Sequence, residues 1–214
     1  MPLWPPGVLS LQPLSLSLLL AGLPLLCSSA ASDLSPTPKP ASVILPTAKG
    51  PGLYALTPER RAALETIRFA EGTWSGGSTK GYRMLYGGGS FQSFERHPDR
   101  VVVKRYASAA AGAYQFLPGT WQAAQRQLGL SGFGPASQDQ AALHLVESRG
   151  ALVDVDRGVL SDRAIDRLAQ EWASFPTASG GSSYGQPSKT VTQLRTFHRA
   201  ALRRHQLRLG GSPA

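Results

Sequence analysis

The chain reads as an α+β fold, mostly α, with helices arranged around one small sheet or pair of hairpins. Three observations predict this. Apolar residues recur at three- and four-residue spacing in segments bounded by helix caps, prolines and glycines. One glycine-rich, β-leaning stretch, from Tyr82 to Val103, breaks that periodicity. The 214 residues, 42% apolar, suffice for one medium domain with appendages and not for two full ones.

The elements follow in chain order. Residues before Asp33 carry no charged side chain, and Leu14 to Leu26 is largely leucine, followed by Ser28-Ser29-Ala30-Ala31. A short apolar stretch ending in small residues reads as an export signal over 1–31, cleaved near Ala30 or Ala31. It lacks the usual leading Lys or Arg, and Pro13 and Pro24 make it a poor membrane span. A retained anchor, or acylation at Cys27, is the rival reading, and Leu26 before that cysteine argues against acylation. Residues 32–54 are rich in Pro, Ser, Thr and Ala, with Pro36, Pro38 and Pro40 at alternate positions, and read as an extended disordered linker.

The folded domain, 55–187, begins at Thr57-Pro58, an N-cap followed by proline in the first turn. Leu64, Ile67 and Glu71 share one helical stripe, and Gly72 ends the helix. Tyr82 to Tyr86, the Gly87-Gly88-Gly89 turn and Val101-Val102-Val103 predict a small sheet or hairpins. Pro118 to Leu128 is a helix stopped by Gly129. The next starts at Ser137, with Gln140 completing a capping box, and runs to about Arg149. Another spans Ser161 to Ala173, with Ile165, Leu168, Ala169 and Trp172 on its apolar side, and Pro176 closes it. The last, within 188–214, runs from about Ser188 to Leu209 and carries Arg195, Arg199, Arg203, Arg204 and Arg208. It reads as a docking helix with a solvated basic face, or as a contact for anionic wall polymer or lipid headgroups.

The formal charge of +9 favours polyanionic partners: nucleic acid, anionic lipid or a carboxylate-rich bacterial wall. No nucleic-acid motif accompanies the charge, so nucleic acid is not expected as a partner. Cys27 is the lone cysteine, which excludes an intrachain disulfide, and the four scattered histidines offer no metal-ligand spacing. No metal and no cofactor are expected, and a monomer is assumed.

Glu71 is the position with chemical promise. It continues the buried stripe of Leu64 and Ile67 and closes its helix, where the macrodipole is negative. Burial and a negative helix end both disfavour the carboxylate and raise its pKa. A general acid that protonates a leaving oxygen near neutral pH needs that property. The alternative is a glutamate fraying into solvent at a helix end.

The surrounding residues favour the first reading. Phe69-Ala70-Glu71-Gly72-Thr73, then Gly81-Tyr82, Gly87-Gly88, Phe91 and His97-Pro98 resemble the catalytic-helix region of the lambda-phage lysozyme (lambda endolysin) family. In the same order come Ala111-Gly112-Ala113-Tyr114-Gln115, Gln127-Leu128-Gly129-Leu130, Gln138-Asp139 and Arg149-Gly150-Ala151-Leu152. Asp156-Arg157-Gly158, Ala164-Ile165-Asp166-Arg167, Trp172-Ala173-Ser174 and Tyr184-Gly185-Gln186 complete the series, so the resemblance covers about residues 60 to 187. It implies a lysozyme-like domain that cuts the β-1,4 bond between N-acetylmuramic acid and N-acetylglucosamine in peptidoglycan glycan strands. It further implies the lytic-transglycosylase route, which leaves a 1,6-anhydro sugar and needs one essential carboxyl, Glu71. A hydrolase would need a second carboxylate. No Asp or Glu lies between Glu71 and Glu95, and Glu95 and Asp99 read as solvated loop charges.

Five further positions are substrate-binding candidates. Gln115 can hydrogen-bond an acetamido or hydroxyl group, with Gly112 leaving the backbone room to approach a ligand. Tyr114 suits a sugar face or the core equally, as does Tyr82. Tyr184 follows Gly180-Gly181 in a loop and reads as cleft-lining, with Gln186 beside it undecided. Trp172 reads as core, Trp74 and Ser75 receive no role, and Arg83 stands where the phage enzyme has an acid. The alternatives are a hydrolytic lysozyme on the same bond and, in a different class, a non-catalytic wall-binding module, against which the intact Glu71 motif argues.

Overall fold

The computed structural model describes residues 53–182 and 188–210. The expected export signal, the linker up to residue 52, and Tyr184 and Gln186 lie outside the described residues. The linker's expected end at residue 54 is corrected. Tyr54 is buried, its backbone N–H donates to Gln140 Oε1 at 2.8 Å, and its hydroxyl reaches Glu147. An aromatic ring with two long-range partners belongs to the core.

The first helix, α1, spans Pro58–Ala70 and is capped as expected, with Thr57 Oγ1 accepting from the Arg60 N–H. Ala63, Leu64 and Ile67 put its apolar stripe into the core. The following segment is less sheet-like than expected. Thr79–Arg83 forms a 3₁₀ turn that takes in Tyr82, and Met84 and Leu85 make isolated bridges to Ser90 and Ala111. The Gly87-Gly88 turn has φ of 77° and 95°, a left-handed region that glycine enters without cost. Among the described residues a regular ladder forms only in the hairpin of β1 (Val102–Val103) and β2 (Ala107–Ser108). His97 anchors the chain before it. Burial lowers the His97 pKa, and the neutral ring spans the Phe116 carbonyl at 2.8 Å and the Asp99 N–H at 3.0 Å.

Helix α2 is Pro118–Leu128, and Gly129 ends it at φ 65°. Helix α3 (Pro135–Ser148) starts earlier than Ser137, because Gly134 and Pro135 supply an N-cap and a first-turn proline. The expected capping box does not form: Gln140 instead brackets Tyr54, donating to its carbonyl at 3.0 Å. A short helix, α4 (Leu152–Asp156), follows where none was expected. Helix α5 begins as read, with Ser161 Oγ accepting from Ala164, but spans only Asp162–Leu168. The chain then turns through Trp172 and Phe175, both buried, so Trp172 is core as expected without being helical.

Helix α6 (Val191–Gly210) lies along α1. Leu194, His198 and Ala201 are buried, and Phe197 stacks on Phe69 with centroids 4.3 Å apart. Glu65 receives Arg204 at 2.7 Å and His205 at 3.0 Å. Arg199, Arg203 and Arg208 face solvent. The helix is thus a docking element with a solvated basic face. Trp74, given no role from sequence, packs edge-on against Phe197 at 4.9 Å.

Candidate active site

Glu71 is the residue at which α1 stops. Its backbone is still helical (φ −72°, ψ −4°), and Gly72 reverses the chain at φ 72°. The N–H groups of Thr73 and Trp74 both return to the Arg68 carbonyl, at 2.9 and 3.1 Å, so the end of the helix is closed rather than frayed. Thr73 is buried and its hydroxyl donates to the Ala113 carbonyl at 2.5 Å. Gly81 presses on the same residue from another side: a Cβ there would lie 2.2 Å from the Thr73 carbonyl oxygen. Both contacts fix the peptide two residues beyond Glu71 and hence the direction of its side chain.

The carboxyl of Glu71 is desolvated while the residue as a whole keeps partial exposure. Burial raises its pKa from 4.5 to about 7, against the opposing effect of one hydrogen bond from Ser174. That hydroxyl donates to Oε1 at 2.5 Å from a residue 103 positions away. Ser174 is itself held, since its carbonyl accepts from the Lys189 N–H at 2.8 Å on the approach to α6. With Oε1 occupied as an acceptor, the proton of the neutral acid belongs on Oε2. The arrangement is a desolvated acid, about half protonated at neutral pH, with Oε1 committed to Ser174.

Ser174 is the residue that the sequence reading missed. It lies inside the Trp172-Ala173-Ser174 segment, but nothing local to it signals contact with α1. The substrate-binding candidates fare differently. Tyr114 and Tyr82, which suit sugar face and core equally by sequence, are buried core residues. Their hydroxyls donate to Asp139 Oδ1 at 2.5 and 2.7 Å, and both rings are buried. Burial raises the Asp139 pKa even against these two donors, and the Arg68 guanidinium lies 4.7 Å over the Tyr82 ring. Two phenols converge because a desolvated carboxylate needs donors.

Gln115 is half-buried in a left-handed backbone conformation, φ 49°, with its amide N–H₂ on the Gly112 carbonyl at 3.0 Å. The space beside Gly112 is not open to a ligand. A Cβ there would meet Gln138 Oε1 at 2.3 Å, and Gln138 uses that oxygen to accept the Ala113 N–H. Arg83 turns away from α1, lying 3.9 Å over the Phe94 ring and donating to the Phe91 and Gln92 carbonyls. Among the described residues no group of three His, Cys, Asp or Glu side chains has the geometry of a metal site.

Comparison with known proteins agrees with this architecture. Residues 61–204 match the family model described as Endolysin, a span that reaches into α6. The last helix is therefore part of the matched domain, beyond the limit near residue 187 read from the motifs. The chain is 40% identical to the endolysin of Escherichia phage lambda over 133 residues, covering 60% of this chain and 81% of that protein. It is 35% identical over 167 residues to the endolysin of Escherichia phage P2, covering 72% and 93%. Bacteriophage lambda lysozyme in complex with a chitohexasaccharide superposes with a TM-score of 0.63 at 36% identity, covering 69% of this chain and 96% of the solved one. A second structure of lambda lysozyme gives a TM-score of 0.57 at 31% identity.

Proposed function

Because the chain belongs to the endolysin family, with a lambda-lysozyme-like fold, we propose that it cleaves the glycan strands of peptidoglycan at the β-1,4 bond between N-acetylmuramic acid and N-acetylglucosamine. The observation that supports this most is the Glu71 carboxyl, raised to about 7 by burial and oriented by Ser174. In the neutral form it transfers its proton to the glycosidic oxygen, and the bond from that oxygen to C1 of the muramic sugar breaks. The carboxylate so formed takes the proton from the same sugar's C6 hydroxyl as the C6 oxygen closes on C1. The products are a new 4-hydroxyl end and a 1,6-anhydro sugar; one carboxyl is acid and then base, and no water is consumed.

The transglycosylase route is preferred over hydrolysis because the motif around Glu71 carries a single carboxyl, with no Asp or Glu between it and Glu95. A hydrolase of the two-carboxylate type requires a second one. Asp139, the half-buried acid of the Gln138-Asp139 motif, is occupied by the two tyrosines. In the substrate complex Gln115 is assigned the part of acceptor through Oε1, since its N–H₂ is already engaged. Tyr184 and Gln186 stay as cleft-lining candidates on the strength of the Tyr184-Gly185-Gln186 resemblance. The site of action is outside the cytoplasm, where the polymer lies.

The test is mass spectrometry of muropeptides released from sacculi by the purified protein. The expected products carry 1,6-anhydro ends that borohydride leaves unchanged. Products that are all reducing would assign the protein to the hydrolases.

A further inference from the structure

We propose that the cavity between the β1–β2 hairpin and the Gly87 turn is a subsite for the carboxylate-bearing peptide stem of the glycan substrate. The proposal rests on the peptidoglycan reading above and adds which part of the polymer is recognised. The cavity has a volume of about 200 Å³. Leu85 and Val102 give it an apolar side, Tyr86 and Ser90 bring hydroxyl groups, and Arg100 and Lys104 bring two cations. No Asp or Glu lines it. Among the described residues neither cation enters an ion pair, and both are exposed. The Lys104 stem lies flat over Gly87, where a Cβ would come within 2.9 Å of its Cγ, so the side chain is packed along the cavity wall.

The mixed lining selects the ligand class. Two exposed cations beside aliphatic surface suit a short peptide with free carboxylates, whereas a neutral sugar has no charge to pair with them. Leu85 and Tyr86 of the cavity also connect to the Glu71 region. Tyr86 N–H donates to the Ala110 carbonyl, Leu85 bridges Ala111, and the Ala113 carbonyl two residues on holds Thr73 beside Glu71. Cavity and acid are thus linked through one short run of hydrogen-bonded residues.

The experiment measures binding of the full protein to a GlcNAc–MurNAc disaccharide with and without its peptide stem. That ligand lacks the bond proposed for cleavage, so the readout stands apart from catalysis. The stem should tighten binding roughly fivefold to tenfold, the scale of two partly exposed ion pairs. Replacing both cations by neutral residues of similar length, Arg100→Gln with Lys104→Met, should abolish that difference and leave affinity for the stem-free sugar unchanged. Equal weakening toward both ligands, or an advantage for the stem that survives the substitutions, would overturn the proposal. Competition by inorganic phosphate at matched ionic strength would reassign the cavity to phosphate groups. Failure of wild-type protein to cleave sacculi would count against the proposed function and would leave this binding result standing by itself.

Discussion

Glu71→Gln separates catalysis from stability in a way that can be worked out in advance. Glutamine keeps the size of the side chain and an oxygen for the Ser174 hydroxyl, but has no proton to transfer. General acid–base catalysis contributes ~10²–10⁴-fold, so cleavage should fall by at least the lower figure. Stability should move the other way. The folded pKa, about 7, lies above the ordinary 4.5, so folding favours the neutral form. That contribution is fully present below pH 4.5 and is lost as pH climbs through 7. At pH 7 the fully buried limit is about 3 kcal/mol, and partial exposure of the residue reduces it to roughly 1–2 kcal/mol. The variant should therefore melt roughly 2–8 °C higher at pH 7.5 and at an unchanged temperature at pH 4. The assay pairs calorimetry at both pH values with clearing of purified sacculi. Activity close to wild type would refute the assignment of Glu71. A variant that is inactive because it melts earlier would refute the electrostatic argument. The wild-type rate should also decline as pH rises through about 7, when the acid form is lost.

Ser174→Ala removes the donor that lowers the Glu71 pKa, so the alkaline limb of the pH–rate profile should move to higher pH. The rate should drop about tenfold, the scale of one hydrogen bond to a charged group, and Ser174→Thr should restore both; an unmoved pH profile would reduce Ser174 to a packing residue. The charge-free leucine-rich start and Ala30-Ala31 predict export with a mature N-terminus close to Ser32. Terminal sequencing of protein recovered from cells checks this, and an intact Met1 to Leu26 in a cytosolic pool would overturn it.

Local signals determine a good deal of this protein. Thr57-Pro58 and Gly72 bound α1 because capping and left-handed termination depend on a few adjacent residues. The stripe of Leu64, Ile67 and Glu71 turns the acid toward the body of the fold for the same reason: helical periodicity is a property of the segment itself. The choice between a buried acid and a glutamate frayed into solvent is legible only with the motifs around α1. Partner choice across long separations is not legible in the sequence. Ser174 meets Glu71 only because the turn after α5 and the approach to α6 bring it there, and α5 stops at Leu168 without a glycine or proline to announce it. Tyr82 and Tyr114 could have served sugar or core, and a half-buried Asp139 decides for the core by demanding two donors. Gly112 likewise signals a close approach without naming what approaches, and the answer is the Gln138 side chain. A sequence constrains the conformation of its own neighbourhood, whereas desolvated polar groups find their partners only when the whole core closes around them, and that choice belongs to the tertiary structure.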